Sequence, residues 1–214
     1  MVGYVLRLCE DVIASRGVVE GLGPVNRVLY VVTGDVAVSS AGRRAEVGAR
    51  AAWFGDGAAR VTAGGSGAKV WRWELGRSPA GGGGRVVLEH EIELDDAGLY
   101  LMRADRVDFE LGGVALPHGH RGGGIRCLLE GELEVTVGEG APRVMRAGDA
   151  WFESGREPVL ARASATVPTS FVRVSVLPRE IRGKSSIVYV DPADAGRAKP
   201  RTYTVYVDEP IEMV

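Results

Sequence analysis

Residues 113–135 read GVALPHGHRGGGIRCLLEGELEV, and this stretch decides the fold that the rest of the chain is expected to adopt. His118 and His120 lie two residues apart in it. Since residues i and i+2 of an extended strand face the same side, both imidazoles are expected to converge on one point inside a sheet or barrel. A glycine-rich turn, an apolar run and a tight bend at Gly131 follow. The stretch predicts a β-rich pocket that contains two imidazoles.

The composition limits the class of protein. The chain has 214 residues, enough for one large or two small domains with a buried core. Its net charge of −2 favours neither nucleic acid nor an anionic membrane as a partner. The 31 glycines fall in turns and short clusters, which is typical of an all-β protein with many tight corners. We therefore expect an all-β protein that binds neither nucleic acid nor membrane.

The cysteines and the N-terminal segment bear on the location of the protein. Cys9 and Cys127 form neither a disulfide framework nor a metal-ligand spacing, so we expect two reduced thiols. Glu10 and Asp11 fall where a secretion signal needs an apolar centre. No apolar run approaches the length of a membrane span. A cytoplasmic location is predicted.

The sequence repeats itself. RVLYVVTGDVAV, from residue 27, resembles GIRCLLEGELEV, from residue 124, and aligns Gly34 with Gly131. Further pairs are Trp53 with Trp151 and Arg72 with Arg173. A period of this length is too long for a solenoid unit and has the size of a small β-domain. The repeat predicts two related β-barrels in tandem.

The repeat also sets the expected domain boundaries. We predict an N-terminal barrel over residues 1–95, a C-terminal barrel with the pocket over residues 96–182, and an extended tail over residues 183–214. Because strands left over after a barrel closes need an edge to pair with, the tail is expected to pack on a barrel or on a partner subunit. A homodimer is favoured.

These motifs resemble those of the cupin superfamily, whose members are double-stranded β-helix, or jelly-roll, barrels; the chain resembles a bicupin over roughly residues 25–178. The first cupin motif has a glycine, His-x-His, a glutamate and a second glycine. Its counterparts are Gly112 or Gly113, His118, His120, Gly124 at the glutamate position, and Gly131. The second motif has Gly-Asp, a Pro-x-Gly turn and a histidine. Its counterparts are Gly148, Asp149, Ser154 near the proline, Gly155, and Val159 at the histidine position.

The resemblance implies a divalent metal, which in cupins is iron, manganese, nickel or zinc held by three histidines and a carboxylate. His118 and His120 supply two ligands, and first-row metals need at least three from the protein. Glu153 on the second motif is the candidate third ligand, with Glu130 and Glu157 as more distant ones. A metal-free polar pocket is the other expectation.

Arg126 and Trp151 are the candidates for binding substrate. Counting by twos from position 124, which faces inward in the family, places Arg126 inside the barrel. A buried guanidinium must be paired, and its fork suits a carboxylate. The partner is either Glu153 or Asp149, in an internal salt bridge, or the carboxylate of a substrate next to the histidines.

Two functions are compatible with these residues. The first is a small-molecule cupin whose C-terminal barrel binds a divalent metal and acts on a small acidic compound by oxidation, isomerisation or hydrolysis, as a dioxygenase- or isomerase-like enzyme would. The second is a non-catalytic, metal-free cupin that binds a small ligand as a sensor or storage module. The residues alone do not decide whether the chain is an enzyme.

Overall fold

The computed structural model describes residues 2–77 and 81–213, and the all-β class predicted from the sequence is confirmed. Apart from strands, the regular elements of these residues are two short 3-10 helices, η1 (Arg179–Ile181) and η2 (Pro192–Gly196). Within the same ranges, no helix has the length and apolar character that crossing a membrane requires. Both cysteines are buried, and neither forms a disulfide within the described residues.

The chain divides into two compact units, Met1–Leu99 with Ile211–Val214 and Tyr100–Pro210. The strands of the first unit are Val2–Ile13 (β1), Val18–Leu22 (β2), Asn26–Ser40 (β3), Arg43–Gly48 (β4), Ala52–Gly55 (β5), Ala59–Gly76 (β6) and Arg85–Leu94 (β7). They form one sheet in the order β4-β3-β6-β1-β7, with β2 paired to β6 and β5 to β3. Half of its apolar core is valine, a β-branched residue that suits the pleated surface of a sheet.

The second unit contains two five-stranded sheets. Its strands are Tyr100–Phe109 (β8), Val114–His120 (β9), Gly124–Glu130 (β10), Glu132–Val137 (β11), Arg143–Arg146 (β12), Ala150–Glu153 (β13), Val159–Ala163 (β14), Thr169–Pro178 (β15), Ile187–Tyr189 (β16) and Arg201–Ile211 (β17). One sheet has the order β13-β10-β15-β8-β17 and the other β12-β11-β14-β9-β16. Leu128 and Phe171 of the first sheet belong to the same apolar cluster as Leu133 and Val159 of the second, so one core lies between the sheets.

Strands near the C-terminus complete both sheets of the second unit. β16 pairs with β9, matching Ile187 with His120 and Tyr189 with His118. β17 lies beside β8 at the edge of the other sheet. The segment after β15 therefore lies next to the strand that carries the two histidines.

Two glycines aligned by the repeat have the same conformation. Gly34 has φ +77° and Gly131 has φ +81°, which is the left-handed region that favours glycine. A Cβ at Gly34 would lie 2.0 Å from the carbonyl oxygen of Gly67, and one at Gly131 would lie 2.2 Å from that of Pro168. Both positions therefore require glycine, because it adopts a positive φ without strain and has no side chain to clash with the backbone.

The arginines aligned by the repeat are also alike, because each is buried against an aspartate. Arg72 on β6 bonds Asp11 on β1 through Nε at 2.9 Å, and Arg173 on β15 bonds Asp105 on β8 through Nε at 2.7 Å. Arg72 also lies 2.7 Å from Glu74. Arg72 and Glu74 are both buried, and their charges are paired there.

Replacing Gly131 tests the need for glycine at the bend. Gly131→Ala is expected to destabilise the protein by about 1–3 kcal/mol more than Gly112→Ala, because the new methyl group would be forced into backbone. Gly112 is a matched control, since its φ is +68° but a Cβ there meets nothing closer than 3.8 Å. The free energies of unfolding in urea measure the difference. Equal losses in the two variants would contradict the steric account.

Candidate functional site

His118 and His120 lie on β9 and face the core of the second unit. Their side chains meet edge to face, with ring centroids 4.9 Å apart, and the residues are 6% and 8% exposed. Between them, a Cβ at Gly119 would come within 2.8 Å of the carbonyl oxygen of Gly155, which accepts a hydrogen bond from His120 N at 2.9 Å. The His-Gly-His sequence therefore brings both rings together while β9 passes close to the turn at Gly155.

The hydrogen bonds of the two rings fix which nitrogens carry protons. His118 Nδ1 lies 2.7 Å from the carbonyl oxygen of Leu116, which can only accept, so His118 Nδ1 is the donor and Nε2 keeps a lone pair. His120 Nε2 lies 3.3 Å from Glu153 Oε2 and is the donor there. His120 Nδ1 accepts from the hydroxyl of Ser186 at 3.4 Å. The rings are thus opposite tautomers.

Glu153, on β13, is the centre of the charged cluster. Its Oε1 accepts a hydrogen bond from Trp151 Nε1 at 2.8 Å, and its Oε2 lies 2.7 Å from Arg126 Nη2. Arg126, on β10, also donates from Nη1 to the carbonyl oxygen of Gly124 at 2.6 Å. The structure therefore brings the two histidines together with Arg126, Trp151 and Glu153, and it pairs Arg126 with one of the two carboxylates expected as internal partners.

The protonation states follow from burial and from this pairing. Burial lowers the pKa of His118 and lowers that of His120 to about 3, although Glu153 opposes both changes. Burial alone would raise the pKa of Glu153, but the Arg126 guanidinium, His120 and Trp151 hold it well below its usual range. Burial lowers the pKa of Arg126 to about 10, so it stays charged at neutral pH. The cluster consists of one ion pair and two neutral imidazoles.

The cluster borders a small cavity, here called the core cavity, that lies between the two sheets. Its volume is about 20 Å³, which is room for about one water molecule. Its polar lining includes three residues that the sequence did not single out as site residues: Arg173, Arg201 and Tyr203. Arg173 was visible only as a repeat partner of Arg72, and the other two lie in the C-terminal segment outside every motif.

The other carboxylates suggested by the sequence lie elsewhere. Glu130 accepts a hydrogen bond from Ser170 at 3.0 Å, and Glu157 is exposed and accepts one from Ser154 at 3.3 Å. Asp149 accepts from the backbone of Arg146 in a turn. None of these three lines the core cavity.

The arrangement of donors does not fit a divalent metal. Among the described residues, no group of three or more histidine, cysteine, aspartate or glutamate side chains is placed to hold a metal ion. Glu153 is the carboxylate nearest the imidazoles, and its Oε2 is already in contact with a guanidinium. A dication bound there would lie beside a fixed positive charge, which is unfavourable at short range in a buried site.

The tautomers can be tested without a ligand. Near pH 7.5, about one unit above the usual histidine pKa, we expect both imidazoles to be neutral, because burial lowers their pKa values further. Long-range ¹H–¹⁵N correlation spectra should show the proton on Nδ1 of His118 and on Nε2 of His120. An imidazolium at either residue, or the reverse tautomers, would contradict the hydrogen-bond assignment.

No protein-family model and no curated protein sequence matches the chain. Its structure is similar to that of a mutant of the Bacillus subtilis oxalate decarboxylase, with a TM-score of 0.69, 12% identity, and coverage of 93% of this chain and 80% of the other. An oxalate decarboxylase from Lactobacillus farciminis, solved as a formate complex, gives a TM-score of 0.66 at 13% identity, over 91% and 82% of the two chains.

A third similar structure is a cupin 2 conserved barrel domain protein from Leptotrichia buccalis, with a TM-score of 0.50 and 14% identity. It is matched over 82% of this chain and 85% of its own. At these identities the likeness concerns the fold. The resemblance of the histidine and glycine motifs and the likeness in structure lead to the same conclusion: the chain has the fold of the cupin superfamily.

Proposed function

We propose that the chain is a small-molecule cupin whose second unit binds its ligand without a metal ion. One observation carries the proposal: the Arg126 guanidinium lies 2.7 Å from Glu153 Oε2, next to the imidazole of His120. The guanidinium takes up the carboxylate oxygen that a metal would otherwise need as a ligand. The proposal corresponds to the non-catalytic sensor or storage module expected as an alternative from the sequence.

The core cavity limits how the ligand binds. Its volume of about 20 Å³ admits a single small polar group, such as a hydroxyl, and excludes the body of an organic acid. His118 Nε2 keeps its lone pair and is the acceptor for that group, because Nδ1 is bonded to Leu116. Trp151 and Arg126 hold Glu153 in place beside it. The rest of the ligand then lies outside the core cavity.

A small acidic ligand is part of the proposal. Two of the similar structures are oxalate decarboxylases, and one of them is a complex with formate, which is a small carboxylate. A metal-dependent activity on such a compound is the second candidate, favoured by the close approach of His118 and His120, whose ring centroids are 4.9 Å apart. It would require Arg126 to leave Glu153. The homodimer and the cytoplasmic location stay predictions.

Removing the guanidinium tests the metal-free proposal. In Arg126→Met, Glu153 loses its buried counter-charge, which is expected to cost about 3–5 kcal/mol of stability. The freed carboxylate and the two imidazoles then form a three-ligand set. We therefore expect Zn²⁺ to raise the melting temperature of Arg126→Met and to leave that of the wild-type protein unchanged, as measured by thermal denaturation of untagged protein.

Two further proteins control this experiment. Adding His118→Ala to Arg126→Met should abolish the response to Zn²⁺, which separates pocket binding from binding at the surface. Arg156→Met removes an exposed arginine that does not line the core cavity and should behave as the wild type. Stabilisation of the wild type by Zn²⁺, lost in His118→Ala, would instead support the metal-dependent candidate.

A further inference from the structure

A second cavity, here called the basic groove, lies in the second unit beside the core cavity. Its volume is about 470 Å³, which is within the range of small-molecule sites. Residues 183–187 and residues of strand β17 line the basic groove. Arg103 and Asp105 of β8 and Arg173 of β15 complete the lining. The basic groove is therefore large enough for an organic ligand, whereas the core cavity is not.

Two of the cations in the basic groove are neutralised by carboxylates. Arg173 makes two hydrogen bonds to Asp105, at 2.7 and 2.9 Å. Arg103 makes two to Asp208, at 2.8 and 3.1 Å. These fork-to-carboxylate pairs are the geometry in which arginine binds an acid most strongly, so neither guanidinium is the first candidate for binding a ligand.

Three other cations line the basic groove without a carboxylate partner in the described part of the chain: Lys184, Lys199 and Arg201. The Lys184 ammonium donates a hydrogen bond to the carbonyl oxygen of Glu180, at 3.4 Å. The Lys199 ammonium lies 5.9 Å from the centre of the Tyr189 ring. The basic groove thus carries an uncompensated positive charge of about three, and this charge favours an anion.

Arg201 is the residue that points most directly to a ligand. It is 7% exposed, and its Nε donates to the hydroxyl of Tyr203 at 2.5 Å. Its Nη2 is buried and has no hydrogen-bond partner among the described residues. A buried charged donor without an acceptor is costly, and an oxygen of a bound anion would satisfy it.

We propose that the basic groove binds a small organic anion carrying at least two negative charges, with Arg201 bonding one acidic group and Lys184 and Lys199 the others. Carboxylate and phosphate groups share this chemistry. The site goes beyond the proposed function, because it uses neither Arg126 nor Glu153. Arg201 and Tyr203 also line the core cavity, so an anion in the basic groove lies next to the imidazoles.

Calorimetric titration of the wild-type protein tests the site, with citrate and pyrophosphate as the two probes and triethyl citrate as an uncharged control. We expect one or both anions to bind and the ester not to bind. Arg201→Gln should weaken binding about tenfold or more, because a charge-assisted hydrogen bond is lost. Arg156→Gln removes the same charge from an exposed arginine outside the basic groove and should leave the affinity unchanged.

The outcomes separate the sources of the anion. Binding of citrate alone assigns a carboxylate ligand, binding of pyrophosphate alone assigns a phosphate, and either supports the site. Should Arg201→Gln fail to fold, the double variant Lys184→Gln/Lys199→Gln, with both residues exposed, is expected to show the same loss. The proposal is overturned if neither anion binds, or if the groove variants bind as tightly as Arg156→Gln. The titration does not depend on metal content. Its result is therefore independent of whether the pocket at Arg126 binds its ligand without a metal.

Discussion

A guanidinium buried between two sheets needs a counter-charge, and in the second unit Arg126 finds it in Glu153 at 2.7 Å. Glu153 Oε1 accepts a hydrogen bond from Trp151, and Oε2, which contacts Arg126, also lies 3.3 Å from His120 Nε2. One carboxylate therefore joins side chains from β9, β10 and β13. The pairing keeps Glu153 ionised, and burial keeps the imidazole of His120 neutral. The properties of the site depend on this contact more than on the histidines themselves.

The first unit meets the same physical requirement in its own way. Arg72 is buried with Asp11 at 2.9 Å and with Glu74 at 2.7 Å, as Arg173 is with Asp105 in the second unit. Buried ion pairs contribute little net stability, but removing one partner is costly. The first pair joins β1 to β6 and the second joins β8 to β15, and the sequence repeat aligns the two arginines as it aligns the positive-φ glycines. Arg126 has no arginine at its aligned position in the first repeat, where Leu29 stands.

Sequence patterns were sufficient for the all-β class and for the meeting of His118 with His120, because a period of two fixes the face of a strand. The inward position of Arg126 needed the cupin resemblance as well, which gives position 124 as inward-facing. They were insufficient for Arg201 and Tyr203. These residues come from a C-terminal strand with no motif, and only the pairing of strands shows which cavity they line. Sequence patterns also did not decide whether the partner of Arg126 is a protein carboxylate or a ligand, since periodicity gives the direction of a side chain and not its contacts.

The central claim is that a guanidinium occupies the place of a metal in the cupin pocket. Crystals of the wild-type protein soaked in Mn²⁺ test it most directly, through anomalous scattering at the pocket. The account predicts no anomalous peak beside His118 and His120, with Arg126 still in contact with Glu153. A manganese peak within about 2.0–2.3 Å of both imidazoles, with Arg126 displaced from Glu153, would contradict it.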